Sequence, residues 1–396
     1  MRAGDHEEEE ELDATAAEVV VDAEPDTDED EAEQSEPSFF DDPGQITKTL
    51  VIVGVLVAAI YVVLPKLAGL DDAVEQLGEA QRPWLFVAII ANVFAFGSYV
   101  ALFRGVVGEA SLKLDWRESY QITMAGLAAT RLFSAGGTGG IILTYWALRK
   151  AGMKRAETAS RMVSFLVLLY AVYIIAVIVF GVTLRIGLIP GDGPLSMTII
   201  PAGIAAVVLL VMLLMTLIPG DLQRRLDSRT GDGRLARLTT GLAAVPATVG
   251  DGIRTSWSFL RNPRQGWLAT FGAVGFWAAN IMILWASFRS LGVSVPLGEI
   301  VVGFFVGMAA NLAPAPAGVG AVDGGLIGAF AILGYPLETV IAAVLIYRLI
   351  AFYLPIPPGI IAFFQLRHTV ARWEQERIAE KPGDEVGRAA KPAVTS

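Results

Sequence analysis

The stretch NLAPAPAGVGAVDGG, residues 311–325, decides the fold because it interrupts a long hydrophobic span. Two prolines, four glycines and one aspartate stand where a membrane helix would otherwise run unbroken. A proline inside a helix removes a backbone hydrogen bond and clashes with the preceding turn, at about 3 kcal/mol or more. We therefore expect Pro314 and Pro316 to end one helix near Leu312, and a second helix to begin near Gly320.

The rest of the chain has the composition of a polytopic membrane protein. Of its 396 residues, 54% are hydrophobic and 18% are charged, and the mean hydropathy is +0.55. Cysteine is absent and the two histidines lie outside the apolar stretches, which leaves no thiolate nucleophile and no histidine-based catalytic or metal site in the membrane. We expect neither an enzyme nor a cofactor. Plain hydrophobic spans lie at 49–64, 83–103, 160–182, 197–218, 267–288 and 337–364.

The acidic charge of the chain belongs to its N-terminus. The net charge is −10, and residues 1–42 hold 19 of the 40 acidic residues with a single base, Arg2. Such a segment buries too little apolar surface to offset its ordering entropy, so we expect residues 1–45 to form a disordered acidic cytoplasmic tail. The tail either keeps the N-terminus solvated or binds a protein partner. Nothing in the sequence indicates a nucleic-acid partner.

Two apolar stretches, 119–148 and 297–334, are broken by glycine and proline. As one straight helix the second would be about 57 Å long, against a hydrocarbon core of about 30 Å. Basic residues precede and follow the first stretch, and short cytoplasmic loops carry an excess of such residues. Both of its ends then lie on the cytoplasmic side, so the first stretch enters and leaves by one face. The flanking basic residues are Arg104, Lys113 and Arg117 before it, and Arg149, Lys150, Lys154, Arg155 and Arg161 after it.

The topology that follows is an all-α polytopic membrane protein with about six transmembrane helices plus two re-entrant half-helix pairs. Each broken stretch follows a Phe-Arg pair, at Phe103 and Phe288, and the two breaks, 134–140 and 314–320, lie 180 positions apart. Three crossings separate the first helices of the two halves, which predicts an inverted repeat of the kind common in transporters. Both termini are expected in the cytoplasm of a bacterial cell, with the protein in its plasma membrane.

The two breaks are predicted to line a cavity, because irregular backbone at membrane depth persists only where protein or water satisfies its polar groups. A half-helix starting near Gly139 and another starting near Gly320 would point their positive dipole ends into it. Such ends suit an anion, in particular a phosphate. The candidate lining residues are Gly136, Gly137, Gly139 and Gly140 in the first break, and Pro316, Gly318 and Gly320 in the second.

Three charged residues lie inside the broken or apolar stretches. Arg131 and Arg348 each cost about 2.5–3.5 kcal/mol at a helix centre on insertion scales, so each needs a partner. An internal ion pair of Arg348 with Asp323 is one reading, and contact with a substrate phosphate is the other. Asp323 either caps the second half-helix or titrates in the cavity. Tyr347, beside Arg348, is a further candidate whose ordinary role is interhelical packing.

These motifs resemble the transmembrane region of lysylphosphatidylglycerol synthases and of its stand-alone flippase-like relatives. The resemblance rests on residues 314–363 and, more loosely, on 130–173. Its pattern is matched by Pro316, Gly318, Gly320 and Asp323, followed by Tyr347 and Arg348. Ala317 replaces a usual glycine, Asp323 replaces a usual glutamate, and the first break lacks the acid often found after its glycine run.

The resemblance implies a flippase-like transmembrane domain over residues 46–368. Within it, apolar residues that recur every three or four positions predict a cytoplasmic amphipathic segment at 221–264, and the polar residues 369–396 are expected to form a cytoplasmic tail. It implies translocation of an anionic, phosphate-bearing or aminoacylated lipid between leaflets, with that lipid and the bilayer as partners. No aminoacyltransferase domain follows, so synthase chemistry is not expected. The alternatives are a permease for a small anionic solute, and a non-transporting membrane partner that anchors an enzyme.

Overall fold

The computed structural model describes residues 78–108, 114–132, 138–215, 252–254, 256, 261, 263–312 and 320–389. Within these residues the regular structure is helical and no strand occurs, which confirms the prediction of an all-α polytopic membrane protein. The predicted acidic tail and the predicted span 49–64 lie outside the described residues. So does nearly all of the predicted amphipathic segment 221–264.

Ten α-helices occur among the described residues. A 3₁₀ turn, Ala309–Leu312, extends α7, and a π-helical turn, Leu349–Tyr353, joins α9 to α10. The helices are α1 Arg82–Val107, α2 Trp116–Leu132, α3 Thr138–Lys150, α4 Arg155–Arg185, α5 Ile199–Met215, α6 Pro263–Ser290, α7 Leu297–Met308, α8 Ala321–Ile332, α9 Leu337–Arg348 and α10 Ile356–Ala389.

Four stretches of the described chain are long and apolar enough to cross a membrane. The helices α5, α7 and α8 are apolar but shorter. The helix ends expected around the second break are confirmed, since the 3₁₀ turn ends at Leu312 and α8 begins at Ala321, directly after Gly320. The four long stretches are Arg82–Val107, Arg155–Arg185, Gly266–Ser290 and Leu337–Glu376.

The centre of the molecule is an antiparallel pair formed by α1 and α6. Near the end of α1, a Cβ on Gly105 would lie 2.5 Å from the backbone nitrogen of Ala269, near the start of α6. At the opposite ends, the rings of Trp84 and Trp285 meet edge to face with centroids 5.2 Å apart. These helices open the two halves of the predicted repeat, and an inverted repeat requires them to run in opposite directions.

Each broken stretch forms a helical hairpin whose two arms are in close contact at glycines. In the first hairpin, α2 and α3, a Cβ on Gly126 would lie 2.8 Å from the Thr144 hydroxyl oxygen. In the second, α7 and α8, a Cβ on Gly307 would lie 2.7 Å from the Leu326 Cα. A side chain at either position would push the arms apart, so glycine is what lets the backbones approach.

We call helices α1–α5 half one and helices α6–α10 half two, and the last long helix of each half packs on the hairpin of the other half. In half one, α4 contacts α7 of the second hairpin, and the Tyr173 hydroxyl donates a hydrogen bond to the Phe305 carbonyl. In half two, α10 contacts α2 of the first hairpin, where the Thr369 hydroxyl donates to the Gln121 side-chain oxygen at 2.9 Å. The halves are therefore interlocked rather than side by side.

The span predicted at 337–364 lies within one of the four long apolar stretches, Leu337–Glu376, but this stretch is not a regular α-helix throughout. The α-helical pattern ends at Arg348 and gives way to the π-helical turn before α10 begins at Ile356. The cause is in the sequence, where Pro355, Pro357 and Pro358 supply no backbone N–H to the preceding turn. Helix α10 then continues to Ala389, so the chain is helical across the predicted boundary at residue 368.

Candidate functional site

The charged residues predicted for the site lie at mid-depth of the central helix pair. The guanidinium carbon of Arg131, in the last turn of α2, is 5.7 Å from the ring centroid of Phe96. Phe96 lies about 21 Å from the start of α1 in a helix about 39 Å long, at 1.5 Å per residue. Arg131 therefore lies near the middle of the length of α1.

Backbone carbonyls of the π-helical turn hold the Arg131 side chain. Its Nη2 donates a hydrogen bond to the Ala351 carbonyl at 3.1 Å, and its Nη1 donates to the Phe352 carbonyl. In a regular helix, the Ala351 carbonyl would accept from residue 355, which is a proline and has no N–H. The proline run thus leaves an acceptor at membrane depth, and Arg131 satisfies it.

Asp323 and Arg348 form a two-point ion pair between α8 and the end of α9. The Arg348 Nε donates to Oδ1 of Asp323 at 2.6 Å, and its Nη2 donates to Oδ2 at 3.3 Å. The Arg348 side chain is 8% exposed and the Asp323 side chain 23%. Oδ2 also accepts the backbone N–H of Gly320 at 2.9 Å, so the aspartate caps α8 while it neutralises the arginine.

Both guanidinium groups lie over the ring of Phe352. Their carbon atoms are 4.7 Å (Arg131) and 4.5 Å (Arg348) from its centroid. Aromatic rings attract cations more strongly once water is removed, so Phe352 stabilises two like charges close together. Among the described residues at this site, the ionised groups are these two arginines and Asp323.

Tyr347 has the packing role considered from the sequence. Its hydroxyl donates to the side-chain oxygen of Asn280 on α6 at 3.3 Å, and Asn280 donates in turn to the Phe276 carbonyl at 2.9 Å. Both side chains are buried. The hydrogen bond between Tyr347 and Asn280 joins α9 to α6 immediately before Arg348. It therefore sets the position of Arg348 along the central helix pair.

The glycines predicted to line the site divide into two groups. Gly139 and Gly140 are buried in the first turn of α3, and a Cβ on Gly140 would collide with the Gly126 carbonyl and the Thr130 hydroxyl. Gly140 therefore serves the contact between the hairpin arms. Gly320 is exposed at the start of α8 with a φ of 84°, which favours glycine. Outside the described residues lie Gly136, Gly137, Pro316 and Gly318.

Sequence reasoning missed Phe352 and Phe96, the two rings that face Arg131. Phe352 is four positions after Arg348, a spacing at which helical side chains meet, so the pair could have been found from the sequence. Phe96 carried no such signal because it belongs to another helix. The carbonyls left free before the proline run were equally predictable, since three prolines in four positions must leave carbonyls without their usual donors.

A second polar cluster lies at the open end of the second hairpin, where α7 begins and α8 ends. Glu299, in the first turn of α7, is buried and accepts the Asp192 backbone N–H at 2.8 Å and the Tyr335 hydroxyl at 2.5 Å. Burial and the hydrogen bond to Glu299 raise the pKa of Tyr335. The first hairpin has a carboxylate at the matching place, Glu118, which lies 3.8 Å from Arg372 of α10. Each hairpin thus begins with a carboxylate that contacts the other half.

The comparison with known proteins gives the same family as the motifs that carry the resemblance. The family model of the lysylphosphatidylglycerol synthase transmembrane region matches residues 51–359. A relative described as a UPF0104 membrane protein, from Methanothermobacter thermautotrophicus, is 32% identical over 93 residues. That match covers 23% of this chain and 26% of the relative, so the chain spans about a quarter of that protein's length. With its family match over most of its length and its apolar helices, the chain is a multi-pass membrane protein that belongs to the lysylphosphatidylglycerol synthase transmembrane region family.

Proposed function

We propose that this protein moves a lipid with an anionic, phosphate-bearing headgroup between the leaflets of the membrane, and carries that lipid without converting it. The observation that carries the proposal is the pair of guanidinium groups of Arg131 and Arg348 over one aromatic ring at mid-depth. Charges placed there are expensive, and inside membranes such residues typically mark the path of a substrate or ion.

The contacts of Arg131 suit a group that exchanges partners. Its hydrogen bonds go to backbone carbonyls, and its other contacts are aromatic rings. A phosphate oxygen accepts from a guanidinium more strongly than a neutral carbonyl does, because both partners are then charged. Arg348 lies over the same ring, and we assign it as the second cation near the bound anion.

The arrangement of the two halves favours transport over anchoring. Arg131 belongs to the hairpin of half one, whereas Arg348 and Phe352 belong to half two, so the site lies where the halves meet. Inverted repeats of transporters place substrate sites at such a seam and expose them to either side by movement of one half. We further propose that the C-terminal ends of α1 and α3 and the N-terminal end of α4, which adjoin the basic residues on either side of the first broken stretch, face the cytoplasm, as the positive-inside rule requires.

The test is a translocation assay in liposomes that contain a fluorescent phosphatidylglycerol, with a membrane-impermeant quencher outside. The wild-type protein should raise the quenched fraction from that of the outer leaflet to nearly all of the dye. Arg131→Gln and Arg348→Gln should return it to the protein-free value. Arg289→Gln is the matched control, because Arg289 also stacks on aromatic rings, those of Trp84 and Trp285, but away from the site.

Two outcomes would contradict lipid translocation. Uptake of labelled inorganic phosphate without movement of the lipid dye would indicate a permease for small anions. If neither moved, and the arginine variants behaved as the wild type, the anchoring of a partner would be the better explanation.

A further inference from the structure

The charge balance of the site narrows the class of lipid that it accepts. Arg131, Arg348 and Asp323 together carry one net positive charge, and Asp323 is already bound to Arg348 through both of its oxygens. The two breaks that adjoin Arg131 and Gly320 in the sequence, residues 133–137 (FSAGG) and 313–319 (APAPAGV), contain no ionisable residue. Neither the described residues at the site nor these two breaks therefore supply a second acid for the positive charge.

We propose that the site binds the phosphodiester of a lipid whose headgroup carries a single negative charge and no amine. This inference rests on the proposed function and selects among the lipids that it allows. One negative charge neutralises the site, whereas a zwitterionic headgroup leaves the positive charge uncompensated and an aminoacylated headgroup with a net positive charge adds to it.

The carboxylates available at the site favour the same class of headgroup. An ammonium group at membrane depth needs an anionic partner, and Asp323 is the one carboxylate among the described residues at the site. Asp323 also accepts the N–H of Gly320, so an ammonium would have to compete with both a guanidinium and a helix cap for the same two oxygens. Arg131, in contrast, gives up only backbone carbonyls when a phosphate arrives.

The size of the expected discrimination follows from the cost of one unbalanced charge. At a membrane helix centre that cost corresponds to roughly a hundredfold in an equilibrium constant. The Arg131 side chain keeps partial surface exposure, so we expect less than the full cost of a charge at a membrane helix centre. We expect a preference of about tenfold or more for the monoanionic lipid over the zwitterionic one.

The experiment is native mass spectrometry of the purified full chain, titrated with three lipids that have identical acyl chains. Phosphatidylglycerol has one negative charge, phosphatidylethanolamine has none, and lysylphosphatidylglycerol has one positive charge. The wild type should bind them in that order of affinity. Arg131→Gln makes the site neutral and should bring the first two affinities close together, whereas Arg131→Lys keeps the charge and should keep the order. Arg289→Gln, the control away from the site, should leave the order unchanged.

A purely structural role of Arg131 would lower all three affinities in proportion, and that result would overturn the inference. So would equal or tighter binding of lysylphosphatidylglycerol by the wild type. Dimethyl phosphate supplies the same monoanionic diester without acyl chains. Its failure to displace phosphatidylglycerol would support a lipid as the source of the anion, and displacement at equal affinity would overturn it.

The same variants separate this inference from the proposed function in the liposome assay. Movement of phosphatidylethanolamine as fast as phosphatidylglycerol would refute the charge selection while translocation stands. Selective binding of phosphatidylglycerol without movement of any lipid would refute translocation while the charge selection stands.

Discussion

Asp323 both forms an ion pair with Arg348 and caps α8, and substitutions at this one position should separate the two contributions to stability. The pair with Arg348 is largely buried, with side chains 8% and 23% exposed. Removing one partner of a buried ion pair costs about 3–5 kcal/mol, against about 0–1 kcal/mol for a surface pair. Because Asp323 retains some exposure, we expect Asp323→Asn to lower the free energy of unfolding by about 3 kcal/mol, the lower end of the buried range.

Asp323→Ala should cost about 1 kcal/mol more than Asp323→Asn. An asparagine oxygen can still accept the N–H of Gly320, which is 2.9 Å from the aspartate oxygen, whereas alanine leaves that group without its cap. The double variant Asp323→Asn with Arg348→Gln should recover most of the loss, because it removes both charges together.

The assay is unfolding by titration with a denaturing detergent, followed by the fluorescence of the tryptophans. The control is Glu376→Gln, which removes one partner of the Arg372–Glu376 pair, whose side chains are 53% and 65% exposed. That change should stay within about 0.5 kcal/mol of the wild type. A cost below about 1 kcal/mol for Asp323→Asn, or a double variant less stable than either single one, would refute the reasoning.

Three further predictions follow from the hairpins and the topology. Glu299→Gln should lower the free energy of unfolding in the same titration by about 1.5–3 kcal/mol, the worth of a hydrogen bond to a charged group; no change would mean that Glu299 does not hold the hairpin. Gly140→Ala should cost about 1–3 kcal/mol because its methyl group collides with the opposite arm, whereas Gly97→Ala, which meets no atom within 4 Å, should be neutral or stabilising by up to about 1 kcal/mol. In this cysteine-free chain, Lys154→Cys and Ser294→Cys should react with an impermeant thiol reagent from opposite faces of the membrane, and reaction from one face would refute the inverted repeat.

The helix ends were predictable because they are set locally. Proline cannot donate a hydrogen bond and glycine adopts positive φ, so the ends at Leu312 and Gly320 follow from the residues around them. The same local chemistry predicts the irregular turn after Arg348, but the prediction of a plain span at 337–364 took no account of the prolines inside it. The sequence also offered the helix cap and the ion pair with Arg348 as structural roles of Asp323, each beside a functional alternative, and the structure contains both contacts.

The partners of Arg131 could not be predicted, because they come from the other half of the chain. The carbonyls of Ala351 and Phe352 are about 220 positions away, and no periodicity or spacing relates them to α2. Buried arginines usually pair with an acid, and the sequence offers Arg131 no obvious one nearby. The structure supplies instead two carbonyls and two rings, which stabilise the cation without neutralising it.

This difference between the two arginines indicates which contacts of the site would change under the movement of the halves that the proposed transport requires. Asp323, Arg348 and Phe352 all belong to half two, so the ion pair moves as one unit with its helices. The hydrogen bonds of Arg131 cross between the halves, and each is worth about 1.5–3 kcal/mol as a bond from a charged donor. A relative movement of the halves would therefore break two hydrogen bonds of Arg131 and leave the buried ion pair intact. An anion that replaces the two carbonyls offsets that loss, so binding of an anion at Arg131 and separation of the halves favour each other.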